Sequence, residues 1–463
     1  MTEYRPRMYA VITAPVLGTR EQRARLAKSD KSVELQVTPK RISLERNDHN
    51  HADTCELVLD WFDAGVDPRL LDDATVEVFI ANADERGEWE PSRQNLRFAG
   101  ITKEIERLGH EDAPAEVRIS CVDYTTLFLE AKPFGSSGVP RYDQTIADAW
   151  ATIVSQTPGA DILAKKIRFE GGVDGSLVIG DAVPERFRKL GKVQTKPDTD
   201  AWAVWTQCVG PLGLIPFIRL DECIVTTATN YYSDQDAPVM VWGKNILEWS
   251  ESRLSALVNK GVGITSYDPL SRKVLEAFWP PIGDARVKAK RSRAKKPLTA
   301  TQMLPREERD YFGSPGITRI EALLEYAKFV YQQRSHQEML GRLTTREMEV
   351  KTESNRVFDL LNLFAGDTVR VEVEPDNRQI LASLPGDAER RGYLRNRGYS
   401  DDAASLIIAN MSSMGTLSSR FITNSVRIDI ESDEDGGEFA VEVDYCNQIN
   451  LDGSATLEQD GAG

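Results

Sequence analysis

Histidine and cysteine are the residue types that most often bind metals or act as nucleophiles, and this chain has few of them. Its four histidines include one close pair, His49 and His51, in the segment Asn-Asp-His-Asn-His. Such a pair supplies one edge of a zinc site, and no second Cys or His pair completes the four ligands. A polar turn between two strands is the interpretation that we favour. The sequence predicts no metal site and no bound cofactor.

The five cysteines are dispersed along the chain and form no CxxC pair. They are Cys55, Cys121, Cys208, Cys223 and Cys446. Four of them lie inside apolar runs typical of strands or helices, which predicts buried, reduced thiols.

Catalytic motifs are absent from the sequence. It has no phosphate-binding GxxxxGK[ST] loop, no HExxH and no GxSxG elbow, and Gly261-Val-Gly263 lacks the third glycine of a dinucleotide fingerprint. Ser136 and Ser137 lie between two glycines, which is typical of a linker. A glycosidase pair is defined by the spatial separation of two carboxylates, which the sequence does not give. We predict no catalytic residue and no enzymatic activity.

The charge balance limits the classes of partner. With 57 basic and 72 acidic residues the net charge is −15, which argues against nucleic acid or an anionic membrane as the main ligand. One basic run, residues 286–296, could contact nucleic acid or an acidic partner, but it lacks interleaved aromatic residues and is better interpreted as a solvated loop. The start of the chain lacks an apolar signal segment, so we expect synthesis in the cytoplasm.

Eight tryptophans mark the apolar faces of the predicted elements. Most of them, including Trp150, Trp202 and Trp205, fall at core positions of predicted helices or strands, so we expect them to pack in the core. A carbohydrate-binding platform is the alternative.

Alternating apolar and polar residues predict strands from residue 33 to residue 124, separated by turns, as in a small antiparallel barrel. Amphipathic helices are predicted from Thr145 to Thr157, where Thr145 and Asp148 resemble a capping pair, and from Thr199 to Val209. Strands return after Trp242. A helix over 318–337, a polar helix near 401–412 and two final strands complete the pattern.

The predicted fold class is α+β, mainly β, with two small antiparallel β-barrel domains, an α+β insertion and a C-terminal α/β extension. The predicted domains are an N-terminal arm (1–31), a first barrel (32–132), the insertion (133–238), a second barrel (239–375) with a mobile basic loop (284–316), and a C-terminal helix, β-hairpin and flexible tail (376–463).

The order of these parts resembles that of a known family. The pieces that carry the resemblance are Leu96 to Ile105, Ser120 to Leu127, Gln144 to Trp150, Asn245 to Arg253, Gly341-Arg-Leu-Thr-Thr and Gly366-Asp-Thr-Val-Arg-Val. Over about residues 33–375 the chain is similar to the baseplate hub proteins of contractile phage tails and injection systems, called late control protein D, and to the hub part of type VI spike proteins.

The resemblance implies a homotrimer in which two barrels per subunit form a pseudo-sixfold ring. Such a ring adapts a hexameric tail tube to a trimeric spike and also contacts baseplate wedge proteins. Genome or cargo passes through its channel, and no membrane insertion is implied. The implied location is the tail baseplate of a virion assembled in the host bacterial cytoplasm. The family offers no catalytic residues to carry over, and no long β-helical spike follows residue 375.

Two alternatives remain at this stage. One is a cell-wall hydrolase or carbohydrate-binding protein built on β-barrels, and the other is the hub of a non-viral extracellular contractile injection system. The net charge also suggests an acidic channel wall along which DNA slides without adhering.

Overall fold

A computed structural model describes the chain over residues 6–15, 32–60, 71, 74–82, 91–110, 113–132, 139–183, 188–189, 191–193, 199–231, 236–253, 261–268, 273–279, 309–313, 323–324, 327, 330, 339–372, 381, 384–411, 420–431 and 437–447.

The described strands span 3 to 15 residues and pair mostly in the antiparallel direction. They are β1 (Pro6–Pro15), β2 (Ser32–Val37), β3 (Arg41–Arg46), β4 (Thr54–Asp60), β5 (Thr75–Asn82), β6 (Leu96–His110), β7 (Ala113–Asp123), β8 (Ile167–Phe169), β9 (Leu214–Arg219), β10 (Glu222–Thr227), β11 (Val239–Val241), β12 (Glu248–Arg253), β13 (Gly261–Asp268), β14 (Lys273–Trp279), β15 (Arg309–Gly313), β16 (Met339–Thr345), β17 (Glu349–Lys351), β18 (Val357–Asp359), β19 (Thr368–Glu372), β20 (Arg420–Glu431) and β21 (Glu438–Asn447).

The described part of the chain contains short helices. They are α1 (Thr125–Glu130), α2 (Ile146–Gln156), α3 (Ala201–Val209), α4 (Ala228–Tyr231), α5 (Asp387–Asn396) and α6 (Asp401–Met411). Short 3-10 turns add Arg93–Asn95, Ala160–Leu163, Ile179–Ala182, Gly210–Leu212 and Leu360–Asn362. Within the described ranges, no helix combines the length and the apolar character needed to cross a membrane.

One 13-stranded sheet dominates the molecule. Its strand order is β12-β16-β21-β20-β3-β4-β7-β6-β5-β1-β2, with β19 attached to β20 and β11 to β19. We call β1–β7 the first β unit, and β11, β12 and β16–β21 the second β unit. The mainly β, α+β class predicted from the sequence is confirmed. The prediction of two separate barrels is not confirmed, because the strand pairs of the described residues form one open sheet that runs through both units.

The two β units join where β3 pairs with β20. This antiparallel seam sets Ile42 opposite Ile430 and Leu44 opposite Ile428, all four fully buried. Since side chains alternate between faces along a strand, both units turn their apolar residues to the same side. A single cluster of buried residues accordingly contains side chains of both units.

The C-terminal hairpin β20–β21 lies inside the main sheet. β21 pairs with β16, and β20 pairs with both β19 and β3. The sequence predicts this hairpin as part of an extension, because the alternation within a strand reveals its buried face but not its partner strand. The hairpin instead connects the two β units.

The N-terminal arm predicted for residues 1–31 is wrong for residues 6–15, which form β1. This strand lies between β5 and β2 and buries Met8, Ala10 and Ile12. The period-two pattern of these apolar residues is the signal for the strand, and the charged residues around it obscured that signal.

The α+β insertion has its own core. Trp150 of α2 and Trp205 of α3 are fully buried, and their ring centroids lie 5.2 Å apart. The predicted first helix is confirmed, since Thr145 caps α2 by accepting a hydrogen bond from the Asp148 amide. The three-stranded sheet β8-β10-β9 packs with these helices.

A second three-stranded sheet, β14-β13-β15, lies outside the main sheet although the sequence places it in the second barrel. β13 pairs antiparallel with β14, with Asp268 opposite Lys273. Residues 309–313 fall within the predicted mobile loop but form β15, which pairs in parallel with β13, so the loop prediction is wrong for them. The basic run 286–296 lies outside the described residues.

Candidate functional site

A buried arginine connects the two β units near their seam. Arg46, the last residue of β3, is 1% exposed. Its Nη1 donates hydrogen bonds to the carbonyl oxygens of Leu361 (2.8 Å) and Leu363 (2.6 Å), and its Nη2 donates to the carbonyl of Arg97 (3.0 Å). One guanidinium therefore links β3, β6 and the turn that precedes β19.

The insertion reaches the same place through a second arginine. Arg219, at the end of β9, lies with its guanidinium carbon 4.1 Å from the centre of the Phe364 ring, and that of Arg46 lies 3.9 Å from the same centre. Arg219 also forms an ion pair with Asp367 (Nη2 to Oδ1, 3.7 Å). Two cations that share one ring in this way gain cation–π attraction, which strengthens as water is excluded.

Three carboxyl groups complete this cluster: Asp123 is buried, and Asp53 and Asp367 are partly exposed. We call the cluster the ionic joint; its members are Arg46, Asp53, Asp123, Arg219, Phe364 and Asp367. Burial raises the pKa of Asp53 to about 6, against the opposing effects of the Asn47 amide and of Arg46. Burial and the nearby charge of Asp53 raise the pKa of Asp123, and burial also raises that of Asp367. The joint thus contains three carboxyl groups whose pKa lies above the usual value of an aspartate.

A second ion pair links the β units beside the joint. Arg97 of β6 donates to Asp359 of β18 (Nη2 to Oδ2, 3.0 Å), and the Arg97 side chain is 7% exposed. Asp359 also accepts a hydrogen bond from the Leu361 amide at 2.9 Å. This pair anchors the turn whose carbonyl groups receive Arg46.

Asp221 attaches the insertion to the first β unit. It lies in the turn between β9 and β10, and its side chain is 3% exposed. Its carboxylate accepts hydrogen bonds from both terminal guanidinium nitrogens of Arg93 and from the Lys166 ammonium. Burial alone would raise the pKa of Asp221, but the hydrogen bonds from Arg93 and Lys166 outweigh it and the pKa falls below its usual value.

A cleft of about 330 Å³, part of it open to solvent, borders the ionic joint. His49 and His51 both line it, in the turn between β3 and β4 that the sequence predicts. His51 pairs with Asp48, and the ring of His49 packs edge-on against Tyr231 with the centroids 5.4 Å apart. The two rings thus take part in packing and hydrogen bonding inside the turn. Among the described residues, no group of three or more His, Cys, Asp or Glu side chains could hold a metal ion.

The other residues singled out in the sequence lie apart from this cleft. All five cysteines are free and buried, as predicted. Trp150, Trp202 and Trp205 pack in the core of the insertion, whereas Trp242 is 40% exposed. Ser136 and Ser137 lie outside the described residues.

Sequence reasoning missed the ionic joint, although one signal pointed to it. The alternation Ile42, Leu44 places the next position of the buried face at Arg46. A charged residue on the apolar face of a strand requires buried partners, because an isolated charge is costly to bury. Those partners lie in segments far away in the chain, so their identity could not be deduced.

The geometry of the ionic joint suits mechanical connection. Its arginines donate to backbone carbonyls, an aromatic ring and carboxylates from three parts of the chain, and its acids accept hydrogen bonds from backbone amides. Contacts of this kind fix the relative orientation of the β units and the insertion. The raised pKa values of Asp53 and Asp123 favour their protonated forms.

Comparison with solved structures places this architecture among phage tail proteins. The chain superposes on the tail protein of Neisseria meningitidis MC58 with a TM-score of 0.53, at 14% sequence identity and with 96% of this chain and 99% of that chain covered. The 43 kDa tail protein of prophage MuSo2 from Shewanella oneidensis gives the same TM-score and coverage at 10% identity.

These likenesses extend over nearly the full length of both chains, so this chain shares its fold with phage tail proteins. The resemblance predicted from the sequence is confirmed at the level of the fold. No protein-family model matches the chain, and no curated protein matches it significantly.

Proposed function

We propose that this chain is a structural hub protein of a contractile tail. In this proposal it assembles as a homotrimer and adapts a hexameric tail tube to a trimeric spike. The observation that carries the proposal is the full-length likeness to two tail proteins, each covered over 99% of its chain. A shared fold alone does not establish a function, so the proposal needs its own test.

The continuous sheet supports the symmetry argument. Each subunit carries two β units, joined at the β3–β20 seam and braced by Arg46 and by the Arg97–Asp359 ion pair. Three subunits present six β units around one axis, which matches six tube subunits on one side and three spike subunits on the other. Rigid coupling of the two units within a subunit is a requirement for such a ring.

The proposed partners are those that the resemblance implies. They are two further copies of the chain, the tail tube hexamer, the spike trimer and the wedge proteins around the hub. We place the protein in the tail baseplate of a virion, assembled in the host cytoplasm, and propose that it works without catalysis.

Light scattering of the purified chain tests the trimer. We expect a particle about three times the 51.7 kDa of one chain, with subunit interfaces above roughly 2,000 Å² as in other obligate assemblies. Negative-stain images should show threefold or near-sixfold rings. A monomer at high protein concentration would contradict the proposal, and so would turnover of peptidoglycan by the purified protein.

A further inference from the structure

Two of the five buried cysteines face each other across neighbouring strands of the first β unit. The register of β4 and β7 sets Cys55 directly opposite Cys121. Their side chains are 2% and 1% exposed, and both lie on the core side of the sheet, in the cluster of buried residues that the two β units share. Two thiol groups are therefore neighbours in a place where the hub proposal gives them no role.

The type of strand pair sets the distance between the two cysteines. The Asp123 amide donates to the Asp53 carbonyl at 2.9 Å, so these two residues form a hydrogen-bonded pair. Cys55 and Cys121 lie two residues further along their strands and form a pair of the same type, with Cα atoms about 5.5 Å apart. Disulfides span Cα separations of about 4.4–6.8 Å. The backbone therefore allows a bond between the two sulfur atoms without a change of register.

Such a bond would be strained and easily reduced. The Cβ atoms of directly opposite residues lie about 4.5–5.5 Å apart, with hydrogen-bonded pairs at the wider end, whereas a disulfide holds them about 3.8 Å apart. The two strands must therefore approach each other locally when the bond forms. Because strain makes a disulfide more reducible, a bond at this position is reversible.

Burial determines when the two thiols react. It raises the pKa of both Cys55 and Cys121 above the ordinary value of a thiol, so the nucleophilic thiolate is scarce while the sheet is closed. β4 is covered on its two edges by β3 and β7. An oxidant therefore reaches the pair when the strands separate locally, and the reaction reports such openings.

We propose that Cys55 and Cys121 are a reversible disulfide site, which links β4 to β7 when the protein meets a small-molecule disulfide. The thiolate of one cysteine attacks the oxidant, forms a mixed disulfide and releases one thiol. The thiolate of the other cysteine attacks the protein sulfur of the mixed disulfide, forms the bond between the two cysteines and releases the second thiol. The protein loses two electrons and two protons, and the oxidant gains them.

This inference does not rest on the proposed trimer. A reducing compartment keeps the two thiols free, and oxidising surroundings favour the bond. The modification would thus distinguish protein that has left a reducing compartment from protein that remains there. Because the bond joins segments far apart in the chain, it restricts the unfolded state, and the oxidised protein should resist unfolding better than the reduced protein.

Peptide mapping of the wild-type protein tests the pairing. The chain is incubated with bis(2-hydroxyethyl) disulfide at a urea concentration below its unfolding transition, the remaining thiols are alkylated, and the product is digested with trypsin. Trypsin places Cys55 in the peptide 47–69 and Cys121 in the peptide 119–141, each with no other cysteine. We expect these two peptides to be joined, and dithiothreitol to separate them. No link between them, or a majority of links to the other cysteines, would overturn the proposal.

Urea unfolding tests the effect of the bond on stability. Cys55→Ala removes the pair, whereas Cys446→Ala removes another buried thiol of the main sheet and leaves the pair intact. Oxidation should raise the urea midpoint of the wild type and of Cys446→Ala, and leave that of Cys55→Ala unchanged. Equal shifts in the two variants, or no rise in a wild type shown by mapping to be linked, would contradict the proposal. If Cys55→Ala does not fold, the comparison of oxidised with reduced wild type still decides.

Discussion

At the scale of single residues, buried charges determine how the parts of this chain are fixed together. Arg46 and Asp221 are each nearly inaccessible to water, and each has hydrogen-bond partners from distant segments. Replacing one such group leaves its buried partners without their hydrogen bonds or counter-charge. The free energy of unfolding should therefore fall by more than it does when a surface ion pair is removed.

Asp221→Asn should lower the free energy of unfolding by about 2 kcal/mol at neutral pH, because Arg93 and Lys166 lose a buried anionic acceptor. The pKa of Asp221 is depressed in the folded chain, so its stabilisation is present above the ordinary pKa of an aspartate and is lost as pH falls through the folded value. Urea unfolding at several pH values measures both effects.

Asp143→Asn is the matched control for this substitution. It removes an ion pair with Arg141 in which both side chains are more than half exposed. Solvent screens such pairs, so the control should unfold like the wild type. A loss as large as that of Asp221→Asn would show that burial is not the cause.

Asp53→Asn should change the pH dependence of stability. Since the folded pKa is raised to about 6, the stabilisation from protonated Asp53 is complete below pH about 4 and is lost as pH rises through 6. The wild type should therefore weaken, relative to the variant, by at most about 3 kcal/mol between pH 4 and pH 7. Urea midpoints at these pH values measure the difference, and Asp161→Asn, at an exposed position in the insertion, is the control. Parallel pH profiles for wild type and Asp53→Asn would contradict the assignment.

At the scale of elements, the pairing of β16 with β21 depends on a glycine that lets an aromatic ring lie close to the backbone. Gly341 of β16 faces Tyr445 of β21, and a Cβ at position 341 would lie 2.1 Å from the Tyr445 ring. The ring is held in place, because its hydroxyl accepts a hydrogen bond from Trp249 Nε1 at 2.7 Å. The glycine is therefore needed for packing and not for a turn.

Gly341→Ala should lower the free energy of unfolding by about 2 kcal/mol, the usual effect of overpacking. Gly109→Ala in β6 is the control, because nothing lies within 4 Å of the added methyl group. The double variant Gly341→Ala/Tyr445→Ala should lose less than the sum of the two single variants, since the clash is then absent. Additive losses measured by urea unfolding would contradict the contact.

Elements with local signals could be predicted from the sequence, and contacts between distant segments could not. α2 was predicted because its cap at Thr145 and its apolar stripe are local signals. α5 was missed, because most of its residues are charged or polar and Leu394 is its buried position. The β3–β20 seam joins opposite ends of the chain, and the alternation within each strand is compatible with many partners. The ionic joint depends on that seam and could not be placed before it.

At the scale of the whole molecule, the shared core implies that the two β units unfold together. One cluster of buried side chains contains Leu57 and Ile119 from the first unit and Leu343 and Val443 from the second. The insertion has a separate core around Trp150. Cooperative unfolding follows contiguous cores more closely than sequence order, so we expect the two β units to unfold as one cooperative unit and the insertion as another.

Leu57→Ala in β4 tests this expectation by hydrogen exchange. The cavity should lower the free energy of unfolding by about 2–5 kcal/mol. It should also accelerate amide exchange in β16 and β21 by a factor comparable with that in β4, although neither strand is adjacent to β4 in the sheet. Val225→Ala, in the core of the insertion, should accelerate exchange in β9 and β10 and leave β16 and β21 unchanged. If Leu57→Ala affected the first unit alone, the units would be independent domains linked by a weak seam. The rigid coupling that a six-position ring requires of each subunit would then be missing, and the hub proposal would lose its mechanical basis.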